Sequence, residues 1–266
     1  MEKALLSKYD NLKKIIASYG SALVAFSSGV DSTFLLYVAK EALGEKAGAV
    51  TVSSCFFPEK EDEEAAKYCE SLGVKQFRLK LDVLRVDGVS DNPKNRCYLC
   101  KRALMGSIKE LAEKNGYATV LEGSNLSDNN DYRPGMQAVT ELGIKSPLKE
   151  AGFTKSEIRE VSKQLGLPTW DKPSYACLAS RFRCGDKITE EQLKMVERAE
   201  EYLHKEGFRQ IRVRIHGRLA RIEAEPVDFE RIMKDEMREG IYNELKEIGF
   251  EFVSLDLFGY KTGSMN

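Results

Sequence analysis

Histidine is almost missing from this chain: only His204 and His216 occur in 266 residues. A histidine-rich metal centre is therefore not expected. No apolar run approaches the ~20 residues of a membrane span. The first residues, Met1-Glu2-Lys3-Ala4-Leu5-Leu6, have no signal-peptide core, so a cytoplasmic protein without a membrane partner is expected. Net charge is −1, from 41 Lys+Arg against 42 Asp+Glu, which supplies no global attraction to nucleic acid. Nucleic acid is not an expected partner, although a local basic patch would escape this argument. Internal repeats and low-complexity tracts are absent. Two common phosphate motifs are absent as well. Without G-x-x-x-x-G-K-[ST] there is no Walker-type loop, and without G-x-G-x-x-G there is no dinucleotide turn.

What is present is ordinary in composition and specific in pattern. Hydrophobic residues make up 42% and charged residues 31%, as in a globular protein long enough for one large or two modest domains. The informative stretch is Ser27-Ser28-Gly29-Val30-Asp31-Ser32. It follows the apolar run 22–26, which reads as a buried parallel strand, and precedes a helix that should end at Gly44. A strand, a turn of small residues and a helix start together aim backbone N–H groups and the positive end of the helix dipole at an anion. Gly29 permits close backbone approach, and the serines add donors. Asp31 would repel phosphate, so a Mg²⁺ ion is its natural partner. The pattern S-[SG]-G-x-D-S after a first strand resembles the PP-loop of the ATP pyrophosphatases. That resemblance implies ATP cleavage between the α- and β-phosphates, with AMP transferred to a substrate oxygen.

Strands and helices then alternate. Residues 47–53, 77–81 and 119–122 read as strands; residues 59–72 and 98–115 read as helices, with 82–95 irregular. Thr154-Lys155-Ser156-Glu157 is a capping box opening a helix that stops at Gly166. This predicts an α/β domain, a parallel sheet with helices on both faces, over residues 1–170. Ligands of such sheets bind beyond the C-terminal strand ends, where Ser27, Ser53 and Gly123 fall. Past Trp170-Asp171-Lys172-Pro173-Ser174 the pattern changes. A helix capped by Thr189 carries Leu193, Val196, Ala199 and Leu203 inward. A hairpin turns near Gly217, a helix covers 229–248, and a last strand covers 252–258. Residues 171–266 are thus expected as a smaller C-terminal α+β domain.

Six cysteines in a cytoplasmic chain point to metal or catalysis rather than disulfides. Cys69 falls on a core stripe and reads as a small buried hydrophobe. Cys55 ends the second strand. Cys97 and Cys100 form a C-x₂-C pair at a helix start, where a thiolate gains from the dipole. Cys177 lies at the domain junction, with Arg181 offering a cation and Cys184 close by. Three readings stay open from spacing. Cys97, Cys100 and Cys177 could hold a [4Fe–4S] cluster with one open iron; all four could hold zinc; the pair could be a redox dithiol.

Taken with Asn92-Pro93 and Arg96-Cys97-Tyr98-Leu99-Cys100-Lys101, Glu122-Gly123-Ser124-Asn125, Asp131-Tyr132-Arg133-Pro134-Gly135, Ser146-Pro147-Leu148, Ala176-Cys177-Leu178-Ala179-Ser180-Arg181 and Arg212-Val213-Arg214-Ile215-His216, the chain resembles the LarE family over nearly its whole length. The family implies an ATP-dependent sulfur transferase of nickel-pincer nucleotide assembly. Its substrate is a pyridinium-3,5-biscarboxylic acid mononucleotide, and its product a thiocarboxylate. Sulfur comes either from the cysteine at 177, left as dehydroalanine, or from a sulfide on a [4Fe–4S] cluster. Because Cys97 and Cys100 match the extra pair of the cluster branch, a cluster on Cys97, Cys100 and Cys177 is expected. Cys184 departs from the family pattern, in which an aromatic residue is usual.

By the same resemblance, Cys177, Asp31, Ser180 and Arg181 are catalytic candidates. Ser27, Ser28, Gly29, Val30, Asp31, Ser32, Ser53, Gly123 and Arg133 are expected around ATP and Mg²⁺. Arg212 and Arg214 alternate with Ile211, Val213 and Ile215, so they share one strand face, which composition alone would leave solvated. The family uses such arginines for substrate phosphate, with Glu200 and Glu223 as further acidic or metal contacts. A homo-oligomer, trimer or hexamer, is also implied. The alternatives are a PP-loop tRNA thiolase, an ammonia-dependent amide ligase, and a non-catalytic nucleotide-binding regulator stabilised by zinc.

Overall fold

The computed structural model describes residues 2–130, 134–173, 176–261 and 265. The chain divides into two units. The first comprises residues 1–54, 59–83 and 97–175. The second comprises 55–58, 84–96 and 176–266. The division is discontinuous: two short excursions from the first two thirds of the chain join the C-terminal unit.

The first unit is built on a four-stranded sheet of order β3-β2-β1-β4, with β1 at Ala22–Ala25, β2 at Ala47–Ser53, β3 at Lys75–Lys80 and β4 at Thr119–Leu121. All pairings are parallel; Ala22 sits opposite Ala47 on one side and Thr119 on the other. Helix α1 (Lys3–Ser18) precedes β1, and α2 (Val30–Leu43), α3 (Glu59–Leu72) and α4 (Arg96–Lys114) lie between the strands. Beyond β4 come α5 (Gly135–Glu141), α6 (Pro147–Glu150) and α7 (Lys155–Gln164). Side chains of β1 alternate between two buried layers. Ala22 and Val24 join Leu12, Ile16, Phe34, Leu35 and Val161 from α1, α2 and α7. Leu23 joins Met105, Ile108, Ala112 and Val120 on the other face. Burial on both faces explains why β1 reads as an uninterrupted apolar run. Helix α1, not expected from sequence, buries Leu5, Tyr9, Leu12 and Ile16 along one stripe. The α7 capping box forms, with Thr154 and Glu157 bonded reciprocally.

Strand order reverses direction at β1. The chain winds one way through β2 and β3, and crosses back to place β4 on the other side. A crevice therefore opens between the C-terminal ends of β1 and β4, where open α/β sheets bind ligands.

The second unit holds α8 (Glu190–Lys205), β5 (Ile211–His216), β6 (Leu219–Ala224), α9 (Phe229–Ile232), α10 (Asp235–Ile248) and β7 (Phe252–Leu255). The hairpin β5–β6 is antiparallel, and β7 joins β6 in parallel. Leu193, Val196, Ala199 and Leu203 of α8 are buried as their spacing predicts. Two expected elements differ. The helix over 229–248 is interrupted, because Lys234 is extended (φ −62°, ψ 138°) and Asp235 and Glu236 begin a fresh helix whose N-terminus their charges favour. The last strand stops at Leu255; Leu257 and Phe258 are exposed instead of paired. Among the described residues no helix is long and apolar enough to cross a membrane.

Candidate active site

The motif found first in the sequence sits where the topology opens. Residues 26–29 leave the end of β1, and Gly29 (φ −80°, ψ 168°) precedes the first turn of α2. Ser28 adopts φ +50°, a left-handed conformation rarely taken by a residue with a side chain, and is buried. Its Oγ donates to the Glu61 carbonyl at 3.3 Å, and Lys172 Nζ donates to the Ser28 carbonyl at 3.1 Å and pairs with Glu64 at 2.6 Å. The strained turn is thus held from both sides. Ser27 Oγ and Ser32 Oγ lie 3.2 Å apart, and Ser32 Oγ donates to the Gly29 carbonyl at 3.2 Å. The loop is pre-formed, with the N-terminus of a 14-residue helix behind it.

Close approach is demanded at Gly123 more than at Gly29. A Cβ on Gly123 would lie 3.2 Å from the Ser32 backbone nitrogen and 3.3 Å from Asp31 Cβ; at Gly29 the nearest atom is the Ser27 hydroxyl at 3.5 Å. The end of β4 therefore lies directly on the first turn of α2. Next to Gly123, the buried Glu122 accepts from Ser124 Oγ (2.8 Å), Ser124 N (3.1 Å), Ser146 Oγ and Lys101 Nζ (3.4 Å). Sequence reasoning gave Glu122 no role, although it opens the Glu122-Gly123-Ser124-Asn125 motif. Ser53, at the end of β2, donates to Asp62 of α3.

Asp31 carries the metal question. Its Oδ2 accepts from Lys155 Nζ at 2.5 Å, while Oδ1 is buried with no hydrogen-bond partner among the described residues. Burial pushes this carboxyl above the ordinary carboxylate range, and Lys155 opposes the rise without cancelling it. A buried carboxylate oxygen lacking a donor fits a hard cation such as Mg²⁺. Arg133 lies outside the described residues, as do Ser174 and Tyr175.

In the second unit, Cys177 stands immediately before a single helical turn, Leu178–Arg181. Arg181 is 1% exposed and grips that turn: its Nη1 donates to the Ala176 carbonyl (2.8 Å), the Cys177 carbonyl (3.2 Å) and Ser180 Oγ (2.8 Å). Its other nitrogens make a two-bond pair with Glu200 of α8 at 2.8 and 2.7 Å. Burial alone would lower the Arg181 pKa, but Glu200 raises it above the ordinary value. Glu200 also accepts from Val213 N at 2.9 Å. Arg214 donates to the Ser180 carbonyl at 2.9 Å and pairs with Glu223 at 2.8 Å. Arg212 stacks its guanidinium 5.4 Å from the Tyr260 ring centre; burial, then Arg181, holds it below its ordinary value.

Arg212 and Arg214 do share one face of β5, yet that face is not solvated. Arg212 is 1% and Arg214 5% exposed, as deeply buried as Ile211, Val213 and Ile215 on the opposite face. Glu200 and Glu223, expected as acidic or metal contacts, are engaged in ion pairs with Arg181 and Arg214 respectively. The arrangement is a buried charged platform under the Cys177 turn.

The remaining cysteines divide by burial. Cys69 is buried, and burial pushes its thiol up to about 12. Cys100 is buried; Cys97 and Cys184 are exposed; Cys55 is half-buried. Among the described residues no three His, Cys, Asp or Glu side chains gather closely enough to hold a metal ion. Cys97 and Cys100 belong to the first unit, Cys177 and Cys184 to the second.

No family model matches the chain. Individual relatives do. An uncharacterized protein of Synechocystis sp. is 41% identical over 263 residues, 98% of each chain. The pyridinium-3,5-bisthiocarboxylic acid mononucleotide synthase of Lactiplantibacillus plantarum is 35% identical over 263 residues, covering 98% of this chain and 95% of the relative. An uncharacterized protein of Methanocaldococcus jannaschii is 31% identical over 98% of each chain. Weaker matches include archaeal GMP synthases. A PP-loop on a parallel sheet, a small C-terminal α+β unit and this full-length similarity lead to one conclusion: the chain belongs to the LarE family of ATP-dependent sulfur transferases within the PP-loop superfamily.

Proposed function

We propose that the protein adenylylates a carboxylate of pyridinium-3,5-biscarboxylic acid mononucleotide and converts it to a thiocarboxylate. The observation that carries this reading is the 35% identity, over almost the full length of both chains, to a synthase named for the bisthiocarboxylic product. A carboxylate resists nucleophiles, and an acyl-adenylate supplies a good leaving group. The substrate oxygen attacks the α-phosphorus of ATP, a new P–O bond forms, and pyrophosphate departs. The backbone amides of Gly29, Val30 and Ser32 at the α2 N-terminus, with the Ser27, Ser28 and Ser32 hydroxyls, bind the departing phosphates. Asp31 would hold Mg²⁺, which neutralises charge on the polyphosphate when bound. Gly123 keeps that pocket narrow, with Ser53 at the neighbouring strand end and Arg133 a further ATP contact.

Sulfur is assigned to residue 177. A [4Fe–4S] cluster on Cys97, Cys100 and Cys177 would supply the sulfur as sulfide; without one, the Cys177 thiol supplies the sulfur itself. Its thiolate attacks the acyl carbon and expels AMP, leaving a thioester. Loss of the Cys177 α-proton then breaks the Cβ–S bond, freeing the thiocarboxylate and leaving dehydroalanine. Ser180 and Arg181 fix the turn, and Arg212 and Arg214 take the substrate phosphate, with Glu200 and Glu223 orienting the arginines. Exposed Val227, Phe252, Leu257 and Phe258 suit a cytoplasmic homo-oligomer, whether trimer or hexamer, which size measurement in solution tests.

The deciding experiment is anaerobic purification, iron and acid-labile sulfide analysis, and turnover with ATP and the biscarboxylic nucleotide. Pyrophosphate, AMP and thiocarboxylate in equal amounts, with Cys177 lighter by one H₂S, is the expected result. Full activity of Cys177→Ala overturns it; iron with sulfide and an unchanged Cys177 transfers the sulfur to a cluster.

A further inference from the structure

Three separated stretches of chain converge on Cys177, and they converge through Arg96. The first residue of α4, Arg96 is 8% exposed. Its Nη1 lies 3.6 Å from Cys177 Sγ, within the longer reach that sulfur allows a hydrogen bond. Its Nε donates to Asn92 Oδ1 at 3.0 Å, and its guanidinium stacks 5.6 Å from the centre of the Phe56 ring. Phe56 in turn accepts, through its carbonyl, from Leu178 N at 3.0 Å, directly beside the cysteine.

Asn92 is the hinge of this bracket. It is 4% exposed and adopts φ +49°, a left-handed conformation that asparagine takes more readily than other residues with a side chain. Its Nδ2 donates to the Arg183 carbonyl at 2.9 Å, its own carbonyl accepts from Gly185 N at 2.8 Å, and Ser90 O accepts from Ile188 N at 2.7 Å. Segments 90–96 and 183–188 are thereby laced together on the C-terminal side of Cys177. Such an over-determined orientation is more than packing demands of a surface loop; it fixes where one guanidinium nitrogen points.

From this geometry we propose that Arg96 is a positioning residue for the sulfur-transfer step, holding Cys177 Sγ and any negative charge on it in one orientation. The inference rests on the reading that sulfur leaves from residue 177. Arg181 cannot substitute, because its nitrogens are engaged by Glu200 and by the carbonyls at 176 and 177. Arg96 acts on the sulfur, whereas Arg181 acts on the backbone that carries it.

The test compares alkylation of Cys177 by anionic iodoacetate and neutral iodoacetamide, read peptide by peptide in the intact protein. A fixed guanidinium at this distance favours the anionic reagent. Arg96→Ala should lower the iodoacetate-to-iodoacetamide rate ratio by roughly fivefold to tenfold, while Arg96→Lys, which keeps the charge, recovers part of it. Asn92→Ala frees the guanidinium without removing it and should lower the ratio by a smaller factor. In single turnover, Arg96→Ala should slow thiocarboxylate formation by at least about tenfold, with half-saturating ATP shifted less than about twofold. An unchanged alkylation ratio in folded Arg96→Ala, or an unchanged single-turnover rate, overturns the proposal. The chemical readout is independent of sulfur origin. If Cys177→Ala keeps full activity while the ratio still depends on Arg96, the sulfur assignment has failed and the contact has not.

Discussion

Glu200→Ala should unfold the second unit far more readily than any surface substitution. The pair it breaks is almost dry, with Arg181 1% and Glu200 5% exposed and two bonds of 2.8 and 2.7 Å. Removing the carboxylate leaves a guanidinium buried without its counter-charge, which costs about 3–5 kcal/mol. Val213 N also loses its acceptor, adding about 1 kcal/mol. The three oxygens Arg181 still reaches, on Ala176, Cys177 and Ser180, hold the total toward the lower part of that range. Urea unfolding followed by circular dichroism measures it, and a fall in Tm of roughly 10 °C is expected for a chain of this size. The acid limb provides a second check. Burial alone would raise the Glu200 pKa, but Arg181 and the Val213 amide pull it below the ordinary value. A carboxyl lowered in the folded state stabilises above its unfolded value, near 4.3, and that contribution disappears as pH falls through the folded value. The penalty of Glu200→Ala should therefore shrink in acid. Replacing both partners by leucine should recover most of the stability but loosen the Cys177 turn. A Glu200→Ala protein within about 0.5 kcal/mol of wild type, or a penalty unchanged at low pH, would refute the buried-pair reasoning.

Gly123→Ala places a Cβ 3.2 Å from Ser32 N, against backbone that cannot step aside, so about 1–3 kcal/mol of overpacking strain should appear as a roughly tenfold or greater loss of ATP affinity by calorimetry. Burial pushes the Glu61 carboxyl up to about 7, partly offset by Lys172. The folded chain keeps a proton there that the unfolded chain releases, so stability falls as pH rises from about 4.5 through 7, and Glu61→Gln should gain on the order of 1 kcal/mol over wild type between pH 5 and 8 in urea titrations. Cys69, with its thiol pushed up to about 12, should resist iodoacetamide at pH 8 while exposed Cys97 reacts first, as peptide mass spectrometry will report.

The local chemistry of the chain was legible because it depends on short spacings. Alternation and apolar runs named β1, β2 and α3; Thr154 and Glu157 announced the α7 cap; the serine-rich turn announced a phosphate loop at a strand end. Full-length motif resemblance supplied the family. Spacing could not say which side of a strand meets water: Arg212 and Arg214 look like a solvated stripe, yet both are buried, with Glu223 of β6 paired to Arg214 and Glu200 of α8 paired to the neighbouring Arg181. Nor could it pair residues more than a hundred positions apart, so Lys155 on Asp31 and Lys172 under Ser28 had no signal at all. Arg96 beside Cys177 is the sharpest case, since eighty-one positions separate two groups that lie 3.6 Å apart. Backbone preference and side-chain period act over a few residues and are written in the sequence. Burial of charge and long-range ion pairing exist only once the chain has closed on itself, and those decided what surrounds the Cys177 side chain.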